Sequence, residues 1–381
     1  MQMERLVMIP GPTPVAPSIR GQMARQVQAF GDPRFVADYR CLIDELGTLL
    51  RCDGQTFPLA GTGTLAMEMA IANTTTRGNA VLVVSNGFFG DRFIDICEGK
   101  GLVVDVLRAE WGDAVSPAAI AAQLAQKPYA AVTVSHVDTS TAVCAPIAEI
   151  GEVMKDFPDT LYIVDGVAAT GGEFEDMAAM HIDVLLTASQ KAFGVSPGLF
   201  VVWASAAAMQ RRAALGTIPE YYVDMHRWLP VMQDPAKYFA TPAINLVWAM
   251  LESCRIIAAE GYQARAARHA KNAAAAHAGF AAMGLSVLAR AGLRASTLSC
   301  LLYPEGVDDA RFRASLLDEG LIVAGGLGAY AGRMFRMGHM GNIDTNDMVV
   351  ALAAVERALA TCGAAPAPGA GVGAYLAALA T

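Results

Sequence analysis

Charge is scarce in this sequence. Asp, Glu, Lys and Arg together make up 17% of its 381 residues, against 54% hydrophobic residues. That balance excludes a disordered or tail-like chain, which would be too polar to bury a core. Basic residues are the minority, with 28 Lys and Arg against 36 Asp and Glu. A net charge of −8 with the two signs intermixed argues against a nucleic-acid or anionic-membrane surface. Long apolar runs are also missing: no 18-residue stretch is free of Gly, Pro and charge, so no membrane span is expected. The start, MQMERLVMIPGP, has neither the basic nor the apolar region of an export signal. The seven cysteines show no CxxC or ligand spacing, which suits reduced thiols in the cytoplasm. The six histidines show no metal-ligand spacing either, so no metal is expected. His269 and His277 are expected to face solvent on an alanine-rich helix.

What is present is a rhythm. Between about residues 55 and 205, unbroken apolar runs alternate with helical stretches: QTFPLAG, AVLVVSNG, AAVTVSH, LYIVDGV, DVLLTAS and GLFVVWA are among the runs. Runs of this kind suit strands covered on both faces, and their alternation with helices predicts a mainly parallel, doubly covered α/β sheet. Ala243–Met283 reads as helix broken at Gly261. A smaller α+β unit follows, with a strand at STLSCLLY, a helix at DDARFRASLLDEG and a last helix at TNDMVVALAAVERALA. Residues 363–381 are rich in Gly, Ala and Pro and read as a flexible tail ending in a marginal helix. The expected organisation is an N-terminal arm (1–20), a large unit (21–245), a small C-terminal unit (246–362) and that tail.

Three positions carry chemistry. The turn AGTGTLAMEMA opens an apolar helix, so the N–H groups near Gly63 and Thr64 offer an anion site. Gly61-x-Gly63-x-x-Ala66 also fits a dinucleotide fingerprint. However, the next strand ends in Ser85-Asn86 rather than in the acid that holds a ribose, so a plain helix start is the second reading and nicotinamide binding the third. Asp165 ends the strand LYIVD, at the edge where α/β sheets bind ligands. Lys191 follows the strand DVLLTAS, so its amine falls at the same edge, where poor solvation favours the neutral, nucleophilic form. Phosphate turn, strand-end Asp and strand-end Lys are together what pyridoxal phosphate requires: an anion site, a partner for the ring nitrogen, and an amine for the aldehyde.

At these residues the sequence resembles the class V aminotransferases of fold type I, in the alanine–glyoxylate, serine–glyoxylate and serine–pyruvate branch. Eight ordered blocks carry the resemblance: IPGPTPV, AGTGTLAMEMA, SNGFFGDRFIDI, SHVDTSTAVCAPI, VDGVAATGG, SQKAFGVSPG, TPAINLVWAMLE and FRMGHMGN. It implies a homodimer that passes an amino group from a small amino acid to glyoxylate or pyruvate. Lys191 would hold pyridoxal 5'-phosphate, Asp165 would meet its ring nitrogen, and Gly63, Thr64 and Gln190 would hold its phosphate. The resemblance further implies that Thr139 touches the phenolic oxygen and that Val167 packs on one ring face. Tyr238 and Thr241 would reach the phosphate of the neighbouring subunit, and Arg336 would grip the substrate carboxylate. Phe89 stands where relatives stack Trp or Tyr on the ring, and Ala142 where many have Gly. A 2-aminoethylphosphonate–pyruvate transaminase on the same fold is an alternative, since Arg336 suits either anion. A nicotinamide-dependent dehydrogenase is the alternative from another class, and it leaves Lys191 and Arg336 idle.

Overall fold

The computed structural model describes residues 5–364 and 366–380. Residues 1–4 of the expected arm, and Ala365 and Thr381 of the expected tail, lie outside the described residues. The apolar runs form a seven-stranded sheet in the order Gln55–Ala60, Leu199–Ala204, Val184–Ala188, Leu161–Asp165, Ala131–Ser135, Ala80–Ser85, Val103–Arg108. Every neighbouring pair is parallel except those involving Leu199–Ala204, which runs against both of its neighbours. The fold is therefore the expected mainly parallel α/β sheet with one reversed strand. Four of its strands, 131–135, 161–165, 184–188 and 199–204, are buried along their length, and 55–60 and 80–85 nearly so, because helices cover both faces. The edge strand 103–108 alternates between exposed and half-buried positions.

Local chemistry sets the helix starts that matter for the site. Thr62 is extended and its hydroxyl accepts a hydrogen bond from the Leu65 N–H, which begins the helix Gly63–Thr74 directly after the strand 55–60. Ser116 caps the helix Pro117–Leu124 in the same way, with proline at the first helical position. Gly261 divides the helices Ile244–Glu260 and Tyr262–Ala282, adopting a φ of +84° that a side chain would disfavour.

A second sheet, in the order Ser286–Val287, Leu298–Leu302, Met334–Gly338, Ala324–Gly325, packs with the helices Asp309–Asp318 and Thr345–Thr361 around a separate cluster containing Phe312, Leu316, Phe335 and Leu352. The N-terminal segment bridges the two regions. Leu6–Val7 pair in parallel with Leu321–Ile322, and the Thr13 hydroxyl then donates to the Lys191 carbonyl at 2.8 Å. Among the described residues no helix is long and apolar enough to cross a membrane.

Two expectations need correction. His269 is not solvent-facing. It is fully buried, with Nδ1 2.7 Å from the Arg265 carbonyl and Nε2 accepting the Gly341 N–H at 2.9 Å. His277 is half-buried against the Ser299 hydroxyl at 3.1 Å. Small alanines let this helix approach its neighbours closely, so its few polar side chains find partners inside rather than in water. The tail is not a free extension either: Ala370–Leu379 is a helix lying along Tyr262–Ala282. Its anchor is Tyr375, fully buried, whose hydroxyl donates to Asn272 Oδ1 at 2.6 Å. Tyr375→Ala is expected to cost about 3–5 kcal/mol, the usual loss for a buried aromatic. Denaturant unfolding checks this, and a change below about 1 kcal/mol would show that the helix contributes little.

Candidate active site

The carboxyl ends of the sheet strands meet a cavity with about 580 Å³ of empty space, part of it open to solvent. Gly63, Thr64, Phe89, Thr139, Asp165, Val167, Gln190 and Lys191 all line it, so eight sequence-selected residues converge from five separate chain segments. Ser135 and Asp165 sit side by side in register on adjacent strands. Asp165 Oδ1 accepts the Val167 N–H at 2.9 Å, and Oδ2 accepts the Ser135 hydroxyl at 3.3 Å. Burial pushes its carboxyl up to about 6, opposed by the Val167 hydrogen bond and raised further by the charge of Asp138. A buried carboxylate in this state gains from any cation placed beside it.

Lys191 lies three residues beyond the strand 184–188. Burial lowers its ammonium to about 8, helped by repulsion from the Arg336 guanidinium. Its Nζ donates to the Pro10 carbonyl. The N-terminal segment crosses so closely that a Cβ on Gly11 would lie 2.5 Å from Lys191 Cδ, and Gly11 has a φ of +97°. The positive φ favours glycine there, and a side chain at this position would displace the lysine's end.

Phe89 is set by a contact that no local motif announces. Asp138 Oδ2 accepts the N–H groups of both Phe89 and Gly90, at 2.9 and 3.0 Å, and so caps the helix Phe88–Lys100 from a distant segment. Asp138 Oδ1 meanwhile takes the Ser140 hydroxyl at 2.6 Å. In the turn that follows, Ala142 has a φ of +57°, a left-handed conformation costing a side-chain-bearing residue about 1 kcal/mol.

Arg336 sits on the strand 334–338 of the second sheet, outside the residues lining the cavity itself. Its Nε donates to the Gly325 carbonyl at 2.7 Å and one terminal nitrogen to the Thr139 carbonyl at 3.1 Å. The other terminal nitrogen has no hydrogen-bond partner among the described residues. Thr139 thus belongs to the cavity by its side chain and to Arg336 by its backbone. Tyr238 and Thr241 are not brought to the cavity: Tyr238 is 59% exposed, and its hydroxyl is 3.4 Å from the Thr241 hydroxyl.

Sequence reasoning missed Arg92, Asp138 and Thr62. The signal for Thr62 was available as an N-cap before an apolar helix, and Arg92 follows Phe89 by one helical turn. Of the two histidines in the family-like blocks, His136 pairs with Glu175 at 2.6 Å and His339 with Ser299 at 2.9 Å, both fully enclosed and neither lining the cavity. Met67 is buried and also forms part of the cavity wall. No group of residues able to hold a metal occurs among the described residues.

The chain is similar to known proteins over nearly its whole length. Residues 57–341 match the family described as Aminotransferase class-V. An uncharacterised aminotransferase of Methanocaldococcus jannaschii is 36% identical, over 94% of each chain. The alanine–glyoxylate aminotransferase 1 of Saccharomyces cerevisiae is 31% identical, over 88% of this chain and 91% of its own. The crystal structure of the Bacillus subtilis ureidoglycine–glyoxylate aminotransferase superposes with a TM-score of 0.94, at 27% identity, over 100% of this chain and 99% of that one. The dinucleotide reading of Gly61–Ala66, and with it the dehydrogenase, is set aside. The chain belongs to the class V aminotransferases.

Proposed function

We propose that this protein is a homodimeric, cytoplasmic pyridoxal-phosphate aminotransferase that moves an amino group from alanine or serine to glyoxylate or pyruvate. The observation that carries the reading is the convergence of Lys191, Asp165 and the start of the helix 63–74 on one cavity. The residues fit the cofactor. Gly63 leaves the helix start bare, since a Cβ there would meet Val167 Cγ2 at 2.9 Å, and Asp165 is a buried carboxylate in want of a cation. When bound, pyridoxal phosphate supplies an aldehyde that takes up the amino group and a ring that draws electrons from the Cα–H bond.

The chain's own part is positioning and proton transfer. Lys191 would hold the cofactor's aldehyde through Nζ, and the same buried amine would serve as the base for the substrate's Cα proton. Asp165 would keep the ring nitrogen protonated, and Val167 and Phe89, which line the same cavity, would confine the ring. Arg336 takes the substrate carboxylate through its uncommitted donor, held in orientation by Gly325 and Thr139. In this reading residues 21–245 form the cofactor unit and 246–362 the unit carrying Arg336. Tyr238 and Thr241 serve the neighbouring subunit's phosphate, which their exposure in a single chain supports. Seven free cysteines support a reducing compartment.

Mixing the loaded enzyme with single donors and no acceptor tests the reading. Alanine or serine is expected to remove the visible absorption of the lysine-bound cofactor and yield pyridoxamine phosphate. Conversion by 2-aminoethylphosphonate alone would sink the choice of donor. Arg336→Lys, which keeps the charge but loses the planar fork, is expected to raise the donor KM about 10- to 100-fold with a smaller change in kcat. Steady-state kinetics checks this, and an unchanged KM would remove Arg336 from carboxylate binding.

A further inference from the structure

The cavity holds a guanidinium that the reading above leaves without work. Arg92, in the second turn of the helix 88–100, lines the cavity and donates to the Thr64 hydroxyl at 2.8 Å. Its guanidinium carbon stands 4.8 Å from the centre of the Phe89 ring, a cation–π distance that restrains it. No carboxylate among the described residues pairs with it. The adjacent Asp91 is engaged by Arg108 at 2.8 Å and by Ser85 at 2.7 Å.

Charge accounting in the cavity gives this cation a role. Its charged lining residues are Arg92, Asp165 and Lys191. Lys191 is committed to the aldehyde and Asp165 to the ring nitrogen, both away from the phosphate end. A phosphate monoester carries about −1.5 to −2 near neutral pH, whereas a helix start offers only about half a positive charge. Thr62, Gly63, Thr64 and Gln190 are neutral. Without a further cation, a partly enclosed phosphate would keep most of its charge uncompensated.

We propose that Arg92 is a phosphate-binding residue, placed by Thr64 and Phe89 to pair with the cofactor's phosphate beside the start of the helix 63–74. The assignment rests on the cavity being a pyridoxal-phosphate site. A planar guanidinium can give two parallel N–H donors to phosphate oxygens, and its contact with Thr64 joins the two sides of the cradle. Phe89 then has two tasks: its ring confines the cofactor and also steadies the cation that holds the cofactor's far end.

The test compares two ligands that differ only in the phosphate. Wild type, Arg92→Ala and Arg92→Lys, each freed of cofactor, are titrated with pyridoxal phosphate and with pyridoxal, and Kd is read from absorbance or protein fluorescence. Arg92→Ala is expected to weaken pyridoxal phosphate about 10- to 100-fold and Arg92→Lys less, with pyridoxal affinity unchanged within about twofold. Equal weakening of both ligands would reduce Arg92 to a structural part and overturn the proposal. Unchanged affinity for both, with a raised KM for dicarboxylic donors, would also overturn it and reassign the guanidinium to a substrate's distal carboxylate. A wild-type protein that takes up neither ligand fails the cofactor reading itself, and is thereby told apart from a failure of Arg92 alone.

Discussion

Lys191→Ala is expected to lower transamination by at least about 10²–10⁴-fold, the usual contribution of a positioned proton-transfer group. The variant should also lose the visible absorption of lysine-linked cofactor while still binding pyridoxal phosphate without a bond to the protein. Added methylamine offers a partial rescue, because a small free amine can enter the space the side chain leaves. The pH dependence follows from the site. Burial and the Arg336 charge hold the ammonium at about 8, so about a tenth of Lys191 is neutral at pH 7, against about one in three thousand for an ordinary lysine. The rate at which cofactor-free protein takes up the aldehyde should rise from pH 7 and level off above about pH 9. A rate still climbing at pH 10 would mean that the amine is solvated and that the cavity does not tune it. Full activity in Lys191→Ala would end the proposed mechanism.

Asp165→Asn should produce the second largest loss, about 10²–10³-fold in kcat, of the size seen when one preorganised electrostatic contact to a reacting system is removed. The amide has nearly the same shape, so cofactor uptake through Lys191 should persist, and the loss should fall on the proton-transfer step. Single-turnover measurement with a donor deuterated at Cα separates these. A larger isotope effect in Asp165→Asn than in wild type is the expected result, whereas loss confined to cofactor affinity would show that Asp165 merely anchors the ring. The carboxyl stands at about 6 in the protein, raised by burial. A bound ring cation would stabilise its ionised form and bring it down, so in the loaded enzyme Asp165 should not titrate between pH 6 and 8.

The sheet was legible because buried strands leave unbroken apolar runs, and Asp165 and Lys191 because chemistry at a sheet's carboxyl edge needs few residue types. The direction of Leu199–Ala204 was not legible: a buried strand is equally apolar whichever way it runs. Asp138 escaped notice for a different reason. It caps a helix about fifty residues earlier in the chain, and spacing within one segment carries no trace of such a contact. His269 and the 370–379 helix were misjudged through composition, since alanine and glycine read as exposed or loose although they permit close packing. Tyr375 is the fully buried aromatic of that stretch, with Val372 and Leu379 packed beside it.

The N-terminal segment carries a consequence for how the protein comes to be made. Leu6 and Val7 find their strand partners only at Leu321 and Ile322, while Pro10 and Thr13 rest on Lys191 and its neighbours. On the ribosome, the large sheet is complete in sequence once residue 204 has emerged, but the first residues have no partner strand for more than a hundred residues after that. The pairing that anchors the segment ahead of Pro10 and Gly11 is therefore among the last contacts to form, although Pro10 and Thr13 meet partners at Lys191 that emerge much earlier.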